Sequence, residues 1–299
     1  MISLRFLMHA ALGALFCLTG PALADRPAAS YFGALKTPSS HGAMPIGSYS
    51  RGCAAGLVAL PESGPTWQAM RLSRNRNYGH PMTIQFLVDL SRQAARIGFG
   101  HGLYIGDISQ PRGGPAVSGH SSHQTGLDAD IWWLPPQRLN LSPGERERIS
   151  SISMRSDDQR SVTKYWNSRS AALLRTAAMD SRVDRIFVAA AIKLEMCKYA
   201  SSSDREWMQK IRPWYEHTTH FHVRLKCPKG ARSCQPQKPS VNELSNGGDG
   251  CDESLRWWVT DYLNPPKPSG KPAPPKKKHP REFTLRDLPD QCLVVLSSE

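Results

Sequence analysis

Seven cysteines punctuate the 299 residues. Six of them, Cys53, Cys197, Cys227, Cys234, Cys251 and Cys292, constrain the fold more than any other feature. The seventh, Cys17, falls inside a leader. Arg5 gives that leader a positive start, Phe6 to Leu18 a short apolar run, Pro21 a break, and Ala22-Leu23-Ala24 a small-residue cleavage site. Residues 1–24 therefore read as a secretory signal. The run is too short for a membrane anchor, and bulky Phe16 before Cys17 argues against a lipid anchor there. An even number of cysteines in an exported chain points to disulfides. Six cysteines allow 15 pairings, so the connectivity stays open at this level. Cys227 and Cys234 are near enough to close a small loop around Pro228, Gly230 and Arg232. No C-x-x-C pair occurs, which argues against a structural zinc knot.

The rest of the chain reads as one large α+β domain. A hydrophobic share of 39% with 21% charged residues suits a globular protein, and no internal repeat suggests a solenoid. Helical spacing of Phe86, Leu87, Leu90 and Ala94 predicts a helix over Met82–Ala95, and further helices are expected over Trp166–Met179 and Ala189–Met196. Ser203 or Asp204 is expected to cap another, running to Ile211. Short strands are expected at 103–105, 128–133, 186–188 and 221–225, a loop at 108–119, and an irregular lead-in at 25–50. The four parts are then a signal (1–24), the main domain (25–263), a Pro/Lys-rich arm (264–281) and a C-terminal segment (282–299). The arm holds seven prolines and six cations and cannot build a core. It reads as a solvated linker or as an electrostatic tether.

Charge admits an anionic partner without choosing it. The net charge of +13 becomes +12 when Arg5 leaves with the signal, and half of that excess sits in the arm.

Chemistry concentrates in two windows, Gly119–Asp130 and His217–His222, which hold five of the ten histidines. His220 and His222 are two apart on a predicted strand and share a face, so Phe221 and Val223 point to the core. Asp128 and Asp130 likewise share a face, although Asp128 also suits a turn cap. Gly126 permits the turn that brings His123 towards Asp130. Two imidazoles and a carboxylate around an open position are what a catalytic zinc requires. Spacing alone leaves the reaction class undecided.

These segments resemble a known family. His120 to Asp130 followed by Ile131-Trp132, Arg212-Pro213-Trp214, His217 through Pro228, Ser50-Arg51-Gly52-Cys53, Tyr78-Gly79-His80-Pro81, Ile105-Gly106-Asp107 and Gly248-Asp249-Gly250-Cys251 look like the penicillin-insensitive murein endopeptidases. That family belongs to the zinc peptidases with the lysostaphin, D-Ala-D-Ala peptidase and hedgehog-like fold. The resemblance covers most of the chain after residue 24. It implies a small, mostly antiparallel sheet with packed helices, stapled by disulfides Cys53–Cys292, Cys197–Cys251 and Cys227–Cys234. It implies zinc on His123, Asp130 and His222, with His120 as a further metal-binding histidine. His220 becomes the catalytic histidine and His217 a second one lining the site. The implied setting is the periplasm, and the implied substrate is the D-alanyl–meso-diaminopimelate cross-link of peptidoglycan. The resemblance also suggests a second metal position in the segment that follows. Its Asp falls at Asp157 (or neighbouring Asp158), but its His falls at Arg160, whose guanidinium has no lone pair to offer. A second permanent zinc is therefore not expected.

Arg112, Arg155, Arg160 and Arg212 are candidates for reading stem-peptide carboxylates, and Trp133 and Trp214 for packing on substrate. Trp132 is expected in the core. Rival readings are a D,D-carboxypeptidase or amidase on the same scaffold, a murein-binding protein without activity, and an exported nucleic-acid binder. The last has charge alone behind it and no motif. No stable membrane insertion and no nucleic-acid partner are expected, and a homo-oligomer stays open.

Overall fold

A computed structural model describes residues 26–199, 201–265 and 277–298. The expected signal and most of the Pro/Lys-rich arm lie outside these residues. The main sheet has seven strands, numbered here in chain order: β1 Ser63–Gly64, β2 Trp67–Ala69, β3 Leu103–Ile105, β4 Asp128–Trp132, β5 Val183–Val188, β6 Ile211–Pro213 and β7 His220–Leu225. Their spatial order is β6-β5-β7-β4-β3-β2-β1. β5 with β6 and β2 with β3 are parallel; the other four pairings are antiparallel.

The period of two in the sequence decides which way the middle of this sheet faces. On β7, Phe221, Val223 and Leu225 are buried on the core side, while His220, His222 and Arg224 occupy the other. Its partner β4 does the same with Ala129 and Ile131 against Asp128 and Asp130. The pairing sets His222 opposite Asp130 and Arg224 opposite Asp128. A slip of one residue would turn every one of these groups into the core, so burial of the apolar face fixes the register.

Two long helices pack on the apolar face, and a shorter one, Ala190–Lys198, adds Ile192 and Met196 to the same core. α1 (Pro81–Ile97) starts where Pro81 can occupy the first turn without losing a bond, and the His80 ring accepts from the Met82 backbone N–H. It buries Phe86, Leu87, Leu90 and Ala94 and ends at Gly98, at φ +80°. α2 (Ser168–Met179) is capped by the Asn167 side chain and buries Leu173, Leu174, Ala177 and Ala178. Trp133 is fully buried against Phe221 and Trp166 in the same core.

Two local expectations fail. The lead-in is not irregular: Ala28–Ala34 is a helix, and Met44–Ser48 pairs with Arg51–Ala55. The helix expected from Ser203 to Ile211 is a 3-10 turn, Ser202–Asp204, and a single turn, Arg205–Met208. Ile211 opens β6, because its side chain is needed in the core.

The three disulfides are Cys53–Cys292, Cys197–Cys251 and Cys227–Cys234, the pairs that the resemblance implies. The first joins the chain's two ends in a second small core. There Phe32, Ile46, Cys53 and Ala55 meet Leu288, Cys292 and Val295. Arg112 serves this core. It is 4% exposed and donates to the Val295 carbonyl at 2.8 Å, the Leu296 carbonyl at 3.2 Å and the Thr37 carbonyl at 3.1 Å. It satisfies carbonyls at the end of the last helix (Gln291–Ser297) and is not the carboxylate reader the sequence suggested.

Candidate metal centre

His120, His123, Asp130 and His222 each offer one ligand atom, and these atoms all lie within 4.8 Å of one another. Asp130 and His222 come from facing positions of β4 and β7. His120 and His123 come from the loop before β4. That loop needs left-handed backbone at His123 (φ +66°) and at Gly126 (φ +71°). A Cβ at Gly126 would sit 2.5 Å from the Leu57 side chain and 3.0 Å from the His80 backbone nitrogen, so the tight turn favours glycine.

His123 and His222 are each aimed by the far nitrogen of the ring. His123 Nδ1 donates to the Ile108 carbonyl at 2.6 Å, which turns Nε2 inwards to 3.4 Å from Asp130 Oδ1. His222 Nε2 donates to Asp128 Oδ1 at 2.9 Å, which turns Nδ1 inwards to 3.2 Å from the same Asp130 oxygen. His120 Nε2 stands 2.9 Å from Asp130 Oδ2. Backbone and carboxylate partners of this kind fix the tautomer of a metal-binding histidine.

His123 Nε2, Asp130 Oδ1 and His220 Nε2 are buried and have no hydrogen-bond partner. Buried polar atoms are nearly always satisfied. Here unsatisfied lone pairs of nitrogen and carboxylate oxygen converge, and a cation among them would satisfy them together. The residues fit a metal.

The electrostatics agree. Burial alone would raise the Asp130 carboxyl, but His120, His220 and His123 hold it well below the ordinary carboxylate range. The same carboxylate pushes His120 up to about 9 against the effect of burial. Burial pushes His123 down and keeps its ring neutral, the form that binds metal. Burial also lowers His222, but Asp128 outweighs it and the net direction is upward. A metal would take the place of the protons that His120 and His222 attract.

Asp128 anchors this arrangement, and a turn cap was only half the story. It is fully buried. It takes His222 Nε2 on one oxygen and the His123 backbone N–H at 3.0 Å on the other. Arg224 donates to it at 2.7 Å and stacks over Tyr49 at 4.3 Å. Burial opposes its charge, and Arg224 with His222 holds it ionised. Sequence reasoning passed over Arg224, although its place two residues after His222 on the same strand face was a usable signal. Changing Asp128→Asn keeps the shape and removes the charge. Metal affinity should fall about 10- to 100-fold, read by competition with a chelator of known affinity. Unchanged affinity would refute the anchoring role.

His220 Nε2 lies 3.5 Å from Asp130 Oδ1 and outside the four-residue group. Burial lowers its basicity. His217 sits 5.2 Å from it, ring to ring, on strained left-handed backbone (φ +25°) next to Glu216 (φ +63°). Its Nδ1 donates to the Tyr215 carbonyl at 2.6 Å, and burial with His222 and His220 pushes it down to about 3. His217 is thus neutral around pH 7 and presents an acceptor nitrogen.

Two clefts meet at this group, and His120 belongs to both. One, of about 590 Å³, lies on the His217 side against Phe187, Trp214, Tyr215 and Arg281. The other, of about 300 Å³, lies on the His220 side against Arg71, Trp132 and Ser151.

Residues 45–297 match the family model described as penicillin-insensitive murein endopeptidase. The chain belongs to this family. It is 42% identical over 252 residues to the penicillin-insensitive murein endopeptidase of Haemophilus influenzae, covering 84% of each chain. It is 41% identical over 259 residues to that of Klebsiella pneumoniae subsp. pneumoniae, covering 87% of this chain and 88% of the relative. With that of Salmonella typhi it shares 40% over 260 residues, again 87% and 88%.

Family membership leaves the remaining candidates to the geometry of this chain. Asp157 and Arg160 are exposed on the turn after Met154 and stand outside the metal-binding group. Arg155 donates to Gln159 at 2.7 Å and Arg212 to Ser245 at 3.0 Å. Trp133, being fully buried, cannot meet a substrate. Trp132, expected in the core, packs partly buried against the small core of Met70, Tyr104 and Leu141, edge-on to Tyr104, and also lines the His220-side cleft. Trp214 is 47% exposed and lines the other cleft.

Proposed function

We propose that this chain is a zinc-dependent murein endopeptidase that hydrolyses the D-alanyl–meso-diaminopimelate cross-link of peptidoglycan in the periplasm, after export by residues 1–24. The observation that carries the proposal is the convergence of unsatisfied, buried His123 Nε2 and Asp130 Oδ1 beside His222 Nδ1. A neutral-nitrogen and carboxylate set without thiolate suits a catalytic zinc. Clefts on both sides of the group favour cutting within a cross-linked peptide over trimming its end.

His123, Asp130 and His222 would hold the zinc, with His120 beside them. When bound, zinc supplies Lewis acidity, polarising a carbonyl and making water acidic enough to act as a nucleophile near neutral pH. His220, whose buried Nε2 has no other partner, takes the proton from the attacking water and returns it to the leaving amine. His217, neutral, offers Nε2 as an acceptor that orients the water or the amine N–H. A protonated, oxyanion-binding role does not suit a ring whose basicity is pushed down this far. Asp128 and Arg224 keep His222 aimed throughout.

No serine is acylated in this scheme. Digestion of intact sacculi should therefore continue under β-lactams and stop with a chelator, and mass analysis should show cross-linked dimers converted to monomers. Release of free D-alanine or of whole stem peptides instead would establish the carboxypeptidase or amidase reading.

A further inference from the structure

We infer that Arg71 and Arg281 are the substrate-carboxylate readers of this site, one on each side of the metal-binding group. The inference rests on the murein reading above and adds to it the residues that select the substrate. Four arginines line the two clefts: Arg71 and Arg74 on the His220 side, Arg224 and Arg281 on the His217 side. Arg74 is paired with Asp107 at 3.2 Å and Arg224 with Asp128. Among the described residues, Arg71 and Arg281 have no ion pair.

Arg71 is held for the purpose. Its backbone is left-handed (φ +58°), a conformation that costs a non-glycine residue energy and is kept only where the surroundings impose it. Its guanidinium lies over the Trp132 ring at 5.6 Å, in the wall of the cleft, with Ser150 Oγ 3.5 Å away. The nearby Glu147 carboxylate is engaged by the Ser73 N–H and hydroxyl, both at 2.9 Å.

Arg281 comes from the far end of the chain. It spends one N–H on the Gly119 carbonyl at 2.6 Å, next to His120. The fork of a guanidinium carries further donors, and this one is exposed in the cleft. Its position is built: His279 Nε2 meets Ser121 Oγ at 3.1 Å, Ala28 N–H donates to the Phe283 carbonyl at 2.6 Å, and Cys53–Cys292 ties the segment down.

Stem peptides carry carboxylates on both sides of the cross-link, and meso-diaminopimelate keeps one beside the amine that forms it. Two guanidinium forks flanking the metal group match that pattern, and arginine pairs with carboxylate in bidentate geometry.

The test uses the zinc-loaded full chain with R71A, R71K, R281A and R281K. The probes are a cross-linked muropeptide dimer and the same dimer with its diaminopimelate carboxylates amidated. The wild type should prefer the free acid. Each alanine variant should raise KM for it about 10-fold or more and lose preference over the amide. The lysine variants should recover part of both, with zinc content and melting temperature unchanged. Wild-type KM and preference in both alanine variants would overturn the inference. If the wild type cleaves neither dimer, the endopeptidase reading fails by itself. Calorimetric binding of the two dimers then decides the inference alone: preference for the acid that survives in both alanine variants overturns it, and loss of preference supports it.

Discussion

Changing His222→Ala should remove bound zinc and turnover together. His222 is 2% exposed and contributes the inward Nδ1 that meets Asp130 at 3.2 Å. Without it the group keeps His123, Asp130 and the more exposed His120, fewer than the three firmly held ligands of a catalytic zinc site. The change also leaves Asp128 with Arg224 as its remaining charged partner, so some loss of melting temperature is expected. Elemental analysis after dialysis should find the wild-type metal gone, and sacculus digestion should fall to background. A His222→Ala protein that folds, retains stoichiometric zinc and digests sacculi would remove His222 from the site.

The second large effect separates binding from catalysis. His220→Ala should keep the zinc and lower kcat by about 10²- to 10⁴-fold, the usual worth of a placed general acid–base group. KM should change little, because His220 stands beside Asp130 without completing the four-residue group. Zinc content and kcat measured on one preparation decide it, and near-normal turnover would rule out the proton-transfer role. His217→Ala makes a useful companion. Its neutral ring orients without donating charge, so its loss should cost less than that of His220.

What the sequence revealed and what it hid follow from physics. The period of two placed His220 and His222 on one face of a strand and Asp128 and Asp130 on one face of another, and that pattern survives folding because the opposite faces hold Phe221, Val223 and Ile131. The helix over α1 was legible because its apolar residues recur at the helical period. The resemblance, not any spacing rule, supplied the disulfide pairs. The structure then added what no spacing shows: the register that sets His222 against Asp130, and the Ile108 carbonyl that turns His123.

The arginines show the limit most clearly. Arg112 lies close in sequence to the first histidine window, yet its side chain turns to the carbonyls at the end of the last helix, 183 residues away along the chain. Arg281 is remote from both windows and yet lines the cleft, because a disulfide and a second core return the C-terminal segment to the metal-binding loop. Long-range placement of a charged side chain depends on what else must be satisfied, and local pattern does not carry that information. The short helix expected up to Ile211 failed for the same reason, since strand pairing with Ile186 overrode local propensity.

In the proposed mechanism one zinc ion, held by His123, Asp130 and His222, supports the hydrolysis. Metal-free protein titrated with zinc while cross-linked muropeptide is being cleaved tests it most directly. Activity should rise from background and saturate at about one zinc per chain, as three firm ligands and an open position require. Full cleavage by the metal-free protein, or activity that appears only with the second equivalent, would contradict it.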